Sequence, residues 1–249
     1  MRRNITICFS IAVALLYLGI VVEAQSSEGT DMKTVFEEKY QAWKEFMQSP
    51  NSRYLSDSTG LFTQQFKEIV ELGVPALPYI FEKMKDDPIL SVAVQQITKK
   101  KFHIIRTGKD PNERRWSVEE YPDINNVEKI HWGKLWLRWW KEDAARTPQQ
   151  FENLYQEWKK LKEEGKETEA KEKYQRMMDL GIFALPSIMT KIEQGNTEII
   201  SAISELTDGK VNKNAQKIDC LDWWNKNKQK WLIPSAQPTP TQDANDPNS

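Results

Sequence analysis

Residues 72–84 read LGVPALPYIFEKM, and residues 180–192 read LGIFALPSIMTKI. Seven of the thirteen positions are identical: Leu72/Leu180, Gly73/Gly181, Ala76/Ala184, Leu77/Leu185, Pro78/Pro186, Ile80/Ile188 and Lys83/Lys191. The match extends outward on both sides. AVQQIT at 93–98 faces AISELT at 202–207, YQAWKEF at 40–46 resembles LYQEWKKL at 154–161, and LWLRWWKED at 135–143 resembles CLDWWNKNK at 220–228. A chain written twice must fold as one unit used twice, and a search for internal repeats therefore precedes any other reading. The units run over about 31–145 and 148–233.

Each unit reads as helices. Phe151, Leu154, Tyr155, Trp158 and Leu161 recur at three- and four-residue steps, which draws one apolar stripe on a helix. Phe36, Tyr40, Trp43, Phe46 and Met47 draw the same stripe in the first unit. Thr147 with Gln150 forms a capping-box pattern, with Pro148 at the first helical position. Second helices are expected over about 60–72 and 167–180, ended by Gly73 and Gly181 in left-handed conformations. Third helices start near Pro75 and Phe183, with Pro78 and Pro186 in the tolerated first turn. Fourth helices cover about 88–100 and 197–207. Last helices, with the Trp pairs, cover about 127–143 and 217–231. KKLKEEGKETEAKEKY (159–174) reads as a solvated helical hairpin around Gly165.

The run LG-x-x-ALP-x-I, then a helix ending in IT or LT, then a Trp-Trp helix, resembles bacterial HEAT-like repeat proteins. The resemblance covers most of 60–145 and 166–230. The Asp then Val-Arg step common in that family is replaced here by DDPILSVA (86–93) and NTEIISAI (196–203), without Arg. The resemblance implies an α-solenoid that serves as a binding scaffold. The expected fold class is thus all-α, a tandemly duplicated HEAT-like α-solenoid unit with a short β-hairpin insertion.

The ends carry different information. Arg2 and Arg3 precede an apolar run from Ile5 to Val22, and Val22-Glu23-Ala24 fits a cleavage site, so residues 1–24 read as a secretory signal. The protein is then exported, periplasmic or extracellular, with a membrane anchor at residues 5–22 if the segment stays uncleaved. Residues 25–30 form a linker. Residues 234–249, PSAQPTPTQDANDPNS from Pro234, lack large apolar residues and read as a disordered tail. Without residues 1–24 only Cys220 remains of two cysteines, so packing rather than a disulfide must stabilise the fold, and Cys220 reads as a buried small hydrophobe.

Composition excludes several functions. With 35 Lys+Arg against 36 Asp+Glu the chain has no global field for nucleic acid. His103 and His131 are the only histidines, and they fit no metal-ligand spacing. His131 reads as satisfied at the core edge. Asp86-Asp87-Pro88 reads as a turn and helix cap. No GxSxG, GxGxxG or P-loop occurs. No cofactor, metal or catalytic residue is expected.

Trp132, Trp136, Trp139 and Trp140, with Leu135, share one helix face. Each Trp buries about 150–250 Å², or about 4–6 kcal/mol before entropy, which favours a core face over an aromatic platform. The interval from Thr98 to Trp139 is 41 residues, and that from Thr207 to Trp223 is 16. The first unit thus holds an insertion over about 100–128. Within 99–115, seven basic residues stand against Asp110 and Glu113, a local charge of +5. KFHIIRT (101–107) and RRWSVEE (114–120) flank a turn-forming GKDPNE, the pattern of a β-hairpin. A loop that interrupts a duplication is a natural site of function. Arg106, Lys109, Arg114, Arg115 and Trp116 are therefore the candidate partner-binding residues. The leading expectation is an exported, non-enzymatic binding or scaffold protein for a protein or cell-envelope partner. Two alternatives stand beside it: a carbohydrate-active or other hydrolytic enzyme on a helical scaffold, which needs two carboxylates across an aromatic-lined cleft, and a purely structural envelope-anchored protein.

Overall fold

A computed structural model describes residues 28–52, 61, 63–108, 110 and 114–232. The signal at 1–24 and the tail at 234–249 lie outside the described residues. Among the described residues the structure is mostly helical, with ten helices and one pair of short antiparallel strands. The helices are α1 (Glu28–Gln48), α2 (Gln64–Glu71), α3 (Leu77–Lys83), α4 (Ser91–Thr98), α5 (Trp132–Glu142), α6 (Thr147–Glu163), α7 (Glu167–Asp179), α8 (Leu185–Glu193), α9 (Ile200–Leu206) and α10 (Lys217–Asn227). A 3-10 turn leads into α3 at Val74–Ala76, and another leads into α8 at Gly181–Ala184. The same holds for α4 (Pro88–Leu90) and α9 (Thr197–Ile199). The strands are β1 (Ile104–Arg106) and β2 (Trp116–Val118), antiparallel, with Ile104 opposite Val118 and Arg106 opposite Trp116.

The repeated letters become repeated contacts. On α1 the Phe36 and Tyr40 rings lie 6.0 Å apart, Tyr40 and Trp43 6.1 Å, and Trp43 reaches Phe66 of α2 at 5.2 Å. On α6 the steps are Phe151–Tyr155 at 5.9 Å and Tyr155–Trp158 at 5.5 Å, with Tyr174 of α7 at 6.0 Å. The shared lysine has a matching role. Lys83 Nζ lies 5.0 Å over the Tyr40 ring and 3.3 Å from Glu37. Lys191 Nζ lies 4.8 Å over Tyr155 and 2.8 Å from Glu152. A lysine whose stem covers an aromatic ring while its head meets a carboxylate is held by packing and charge together.

Helix α5 joins the two sets. Trp140 stacks on Phe81 of α3 at 4.3 Å, and Trp139 meets Phe183 of the 181–184 turn at 4.8 Å. Leu135, Trp136 and Trp139 are buried, and Trp140 is half-buried, as the core reading of the Trp face requires. Trp132 departs from it: it is 44% exposed at the start of α5, which begins at that residue rather than near 127, while Gly133 and Leu135 of the same turn are buried. His131, just before α5, is likewise exposed rather than set into the core edge.

Other local expectations are corrected as well. Thr147 does not cap α6. It already has helical angles after a 3-10 turn at Ala144–Arg146, and its buried Oγ1 has no hydrogen-bond partner. A capping box occurs instead at α10, between Gln216 and Asp219. Helix α1 starts at Glu28, inside the stretch 25–30 expected as a linker. Asp87 gives no side-chain cap to the following turn. Its carboxylate accepts from Tyr40 Oη at 2.9 Å and from Lys44 Nζ at 3.1 Å. Gly73 and Gly181 take positive φ, 69° and 71°, as expected of helix-ending glycines. Cys220 is buried, and burial pushes its thiol pKa up.

Candidate functional site

The three consecutive lysines 99–101 meet three different environments. Lys99 ends α4 at φ 56°, and its ammonium pairs with Asp208. This left-handed residue turns the chain back toward α7, where Lys101 N–H donates to the Asp179 carbonyl at 2.9 Å. Gly181 closes the clamp. It lies so near the backbone of Thr98 and Lys100 that a Cβ there would stand 2.6 Å from Lys100 N. Between these restraints the Lys100 side chain turns inward and is only 4% exposed.

Beyond the clamp the insertion is tied down at its base. Glu119 N–H donates to the His103 carbonyl at 2.9 Å, and His103 N–H donates to the Glu120 carboxylate at 3.1 Å. Trp116 and Val127 exchange two backbone hydrogen bonds, at 2.9 and 3.1 Å. Arg176 of α7 grips Glu119 through two bonds, at 2.6 and 3.1 Å. That grip lowers the Glu119 pKa and raises that of Arg176.

These elements line an open cavity of ≈ 320 Å³ bordered by Lys100, His103, Tyr121, Trp139, Asp143 and Asp179, together with Glu120, Gln150 and Arg176. The insertion, the end of α5, α6 and the end of α7 all contribute. A second cavity of ≈ 430 Å³ borders Lys99, Gln95 and Glu205 and shares Lys100 and Lys101 with the first.

The acceptors around the first cavity are already engaged. Asp143 accepts from Tyr121 Oη at 2.6 Å. Burial first, and that bond second, drive the Tyr121 pKa far upward. Asp179 accepts from Gln175 at 3.1 Å and lies 3.4 Å from His103 Nε2 and 3.5 Å from Lys101 Nζ. Glu120 holds the His103 N–H.

Lys100 is in the opposite position. Among the described residues no carboxylate lies within ion-pair distance of its ammonium, which reaches only the Lys101 carbonyl, at 3.4 Å. Its head stands over the Phe102 ring at 4.7 Å and the Trp139 ring at 5.6 Å. Burial lowers its pKa; Glu120, Asp179 and Asp143, all farther off, act against that shift. The cavity thus holds a buried amine with spare N–H groups.

The candidates from sequence lie elsewhere on the insertion. Arg106 ends β1, exposed, opposite the half-buried Trp116 of β2. Arg114 and Arg115 are exposed just before β2, and Thr107 N–H donates to the Arg115 carbonyl at 2.9 Å. Lys109 lies outside the described residues. Arg106 and Trp116 are brought together by register, but Arg106, Arg114, Arg115 and Trp116 do not border the cavity. Sequence reasoning missed Lys100, Asp143, Tyr121 and Asp179 as a set. The one available signal was the position of Lys100 two residues beyond a repeated Thr, where the second unit has Gly209. Among the described residues no cluster of His, Cys, Asp and Glu could hold a metal ion, and no helix is long and apolar enough to cross a membrane. No family model, curated protein or solved structure matches the chain.

Proposed function

We propose that the chain is an exported, non-enzymatic binding protein on a HEAT-like duplicated helical scaffold, and that its inserted hairpin docks a protein or cell-envelope partner that is acidic. The carrying observation is the division within the hairpin. Its base is packed, with Val118 and Tyr121 buried, while Ile105, Arg106, Arg114 and Arg115 are exposed. A rigid base that presents cations and one large apolar side chain (Ile105, 48% exposed) is suited to an anionic, partly apolar surface. The doubled Phe–Tyr–Trp ladder with its lysine supports the duplicated-scaffold part of the reading. The engaged carboxylates of the cavity support the non-enzymatic part, since hydrolysis of a glycoside needs an acid and a base that are free to act.

The test is a triple reversal, Arg106→Glu, Arg114→Glu and Arg115→Glu, in the full chain. Partners are co-purified from the exporting cell with wild type and variant side by side. The expected result is loss of a partner at an unchanged melting temperature. The same partners at the same yield from both would overturn the docking role.

A further inference from the structure

We propose that Lys100 is a carbonyl-capturing amine, which condenses reversibly with a small uncharged aldehyde or ketone admitted to the ≈ 320 Å³ cavity. This goes beyond the hairpin reading and does not depend on it. The Nζ lone pair adds to the carbonyl carbon, and a C=N bond forms. The carbonyl oxygen leaves as water with the two protons shed by nitrogen, the resulting neutral imine takes up one proton from solvent to become the iminium, and no oxidant or reductant is consumed. The cavity volume lies at the lower end of the range for small-molecule sites.

Three features point to this chemistry. First, the amine is buried beside a cavity without an ion-pair partner; the Phe102 and Trp139 ring faces attract its charged form, but no anion compensates its burial. An ammonium in that setting is poorly solvated, and the neutral nucleophilic form gains relative to an exposed lysine. Second, the groups that face it can stabilise the cationic iminium. Glu120 follows β2, Asp143 follows α5 and Asp179 ends α7. Lys101, His103, Tyr121 and Arg176 complete the titratable lining. Third, that lining is balanced, with Lys100, Lys101 and Arg176 against Glu120, Asp143 and Asp179. A balanced lining with its acceptors engaged favours an uncharged ligand that carries an acceptor oxygen, and disfavours a keto acid.

A purely structural lysine makes the opposite prediction, because 4% exposure would make Lys100 among the slowest lysines to react. The experiment uses the full chain with propanal and sodium cyanoborohydride at pH 7, followed by peptide mass spectrometry of each lysine. Lys100 is expected to be alkylated at least about tenfold faster than the exposed Lys134 and Lys141 of α5. Its rate should also reach its plateau at lower pH than theirs. Glyoxylate, an anionic aldehyde, should lose the preference, as should an aromatic aldehyde too large for the cavity. Lys100→Met should remove the fast site and leave the others unchanged. A Lys100 rate equal to or below those of Lys134 and Lys141 overturns the proposal on wild-type protein alone. The triple hairpin reversal must keep the fast labelling, so failure of the docking role and failure of this one are separable.

Discussion

Replacing Gly181 with Ala tests the clamp that buries Lys100. Two costs add. An L-residue at φ 71° is disfavoured by about 1–2 kcal/mol. The new Cβ would also stand 2.6 Å from Lys100 N and closer still to the Thr98 carbonyl oxygen. Both are backbone atoms, which cannot rotate away as a side chain would, and overpacking of this kind costs about 1–3 kcal/mol. Together they predict a loss of about 2–5 kcal/mol, much of the stability of an ordinary domain. Gly165→Ala supplies the control. Its φ is 70°, almost identical, and a Cβ there meets nothing within 4 Å. The backbone cost cancels between the two variants, so Gly181→Ala should be the less stable by about 1–3 kcal/mol. Urea denaturation followed by tryptophan fluorescence reads the difference, since Trp139 packs against Phe183 two residues from the substitution. Equal midpoints for the two variants would refute the close approach, and with it the explanation of why Lys100 is buried.

Two further predictions follow from groups that the two units treat differently or that the cavity isolates. Tyr40→Phe should cost about 1.5–3 kcal/mol, the range for a hydrogen bond to a charged acceptor, whereas Tyr155→Phe, whose buried hydroxyl has no partner, should be neutral or stabilising in the same denaturation assay. For Lys100 the sign of the pH dependence is fixed by its lowered folded-state pKa: between that pKa and the unfolded value of about 10.4, the unfolded chain binds more protons and stability rises with pH. The stability of wild type relative to Lys100→Met should therefore increase from pH 7 toward pH 10. A flat difference would mean that Lys100 titrates alike in both states.

The helices were legible because their signals are local. The 3.6-residue stripe of Phe36, Tyr40 and Trp43 and the glycines after α2 and α7 each act within one turn of their own position. The exposure at the start of α5 was not. Trp132 continues the apolar spacing of Trp136 and Trp139, but burial depends on what the rest of the fold places opposite it, and nothing covers it fully. The cavity was illegible for the same reason on a larger scale. Its members come from five separate stretches of chain, and each looks ordinary alone: a lysine run, a tyrosine in a loop, two aspartates at helix ends, a glutamine and a leucine on α6. That the middle lysine of 99–101 turns inward rests on the positive φ of Lys99, a conformation that residue type does not announce.

The two units differ most at one equivalent point, and that difference places the cavity. Thr98 ends α4 and Thr207 directly follows α9, and each precedes a residue at positive φ, Lys99 at 56° and Asp208 at 54°, which pair with each other. After Asp208 the chain takes a second positive φ at Gly209, and it enters α10 within ten residues. After Lys99 the next residue is Lys100, which takes no such turn and sends the chain on into the hairpin. The insertion thus starts at the residue where the second unit places a glycine, and its first side chain is the buried amine. Glu120 and Tyr121 then return from the hairpin to the same place, and α5 adds Trp139 and Asp143. Had α4 been closed as α9 is, the Lys100 ammonium would have had neither an aromatic partner in Phe102 nor a cavity to face. The buried amine thus comes from the insertion, while α6 and α7 complete the lining with Gln150, Arg176 and Asp179.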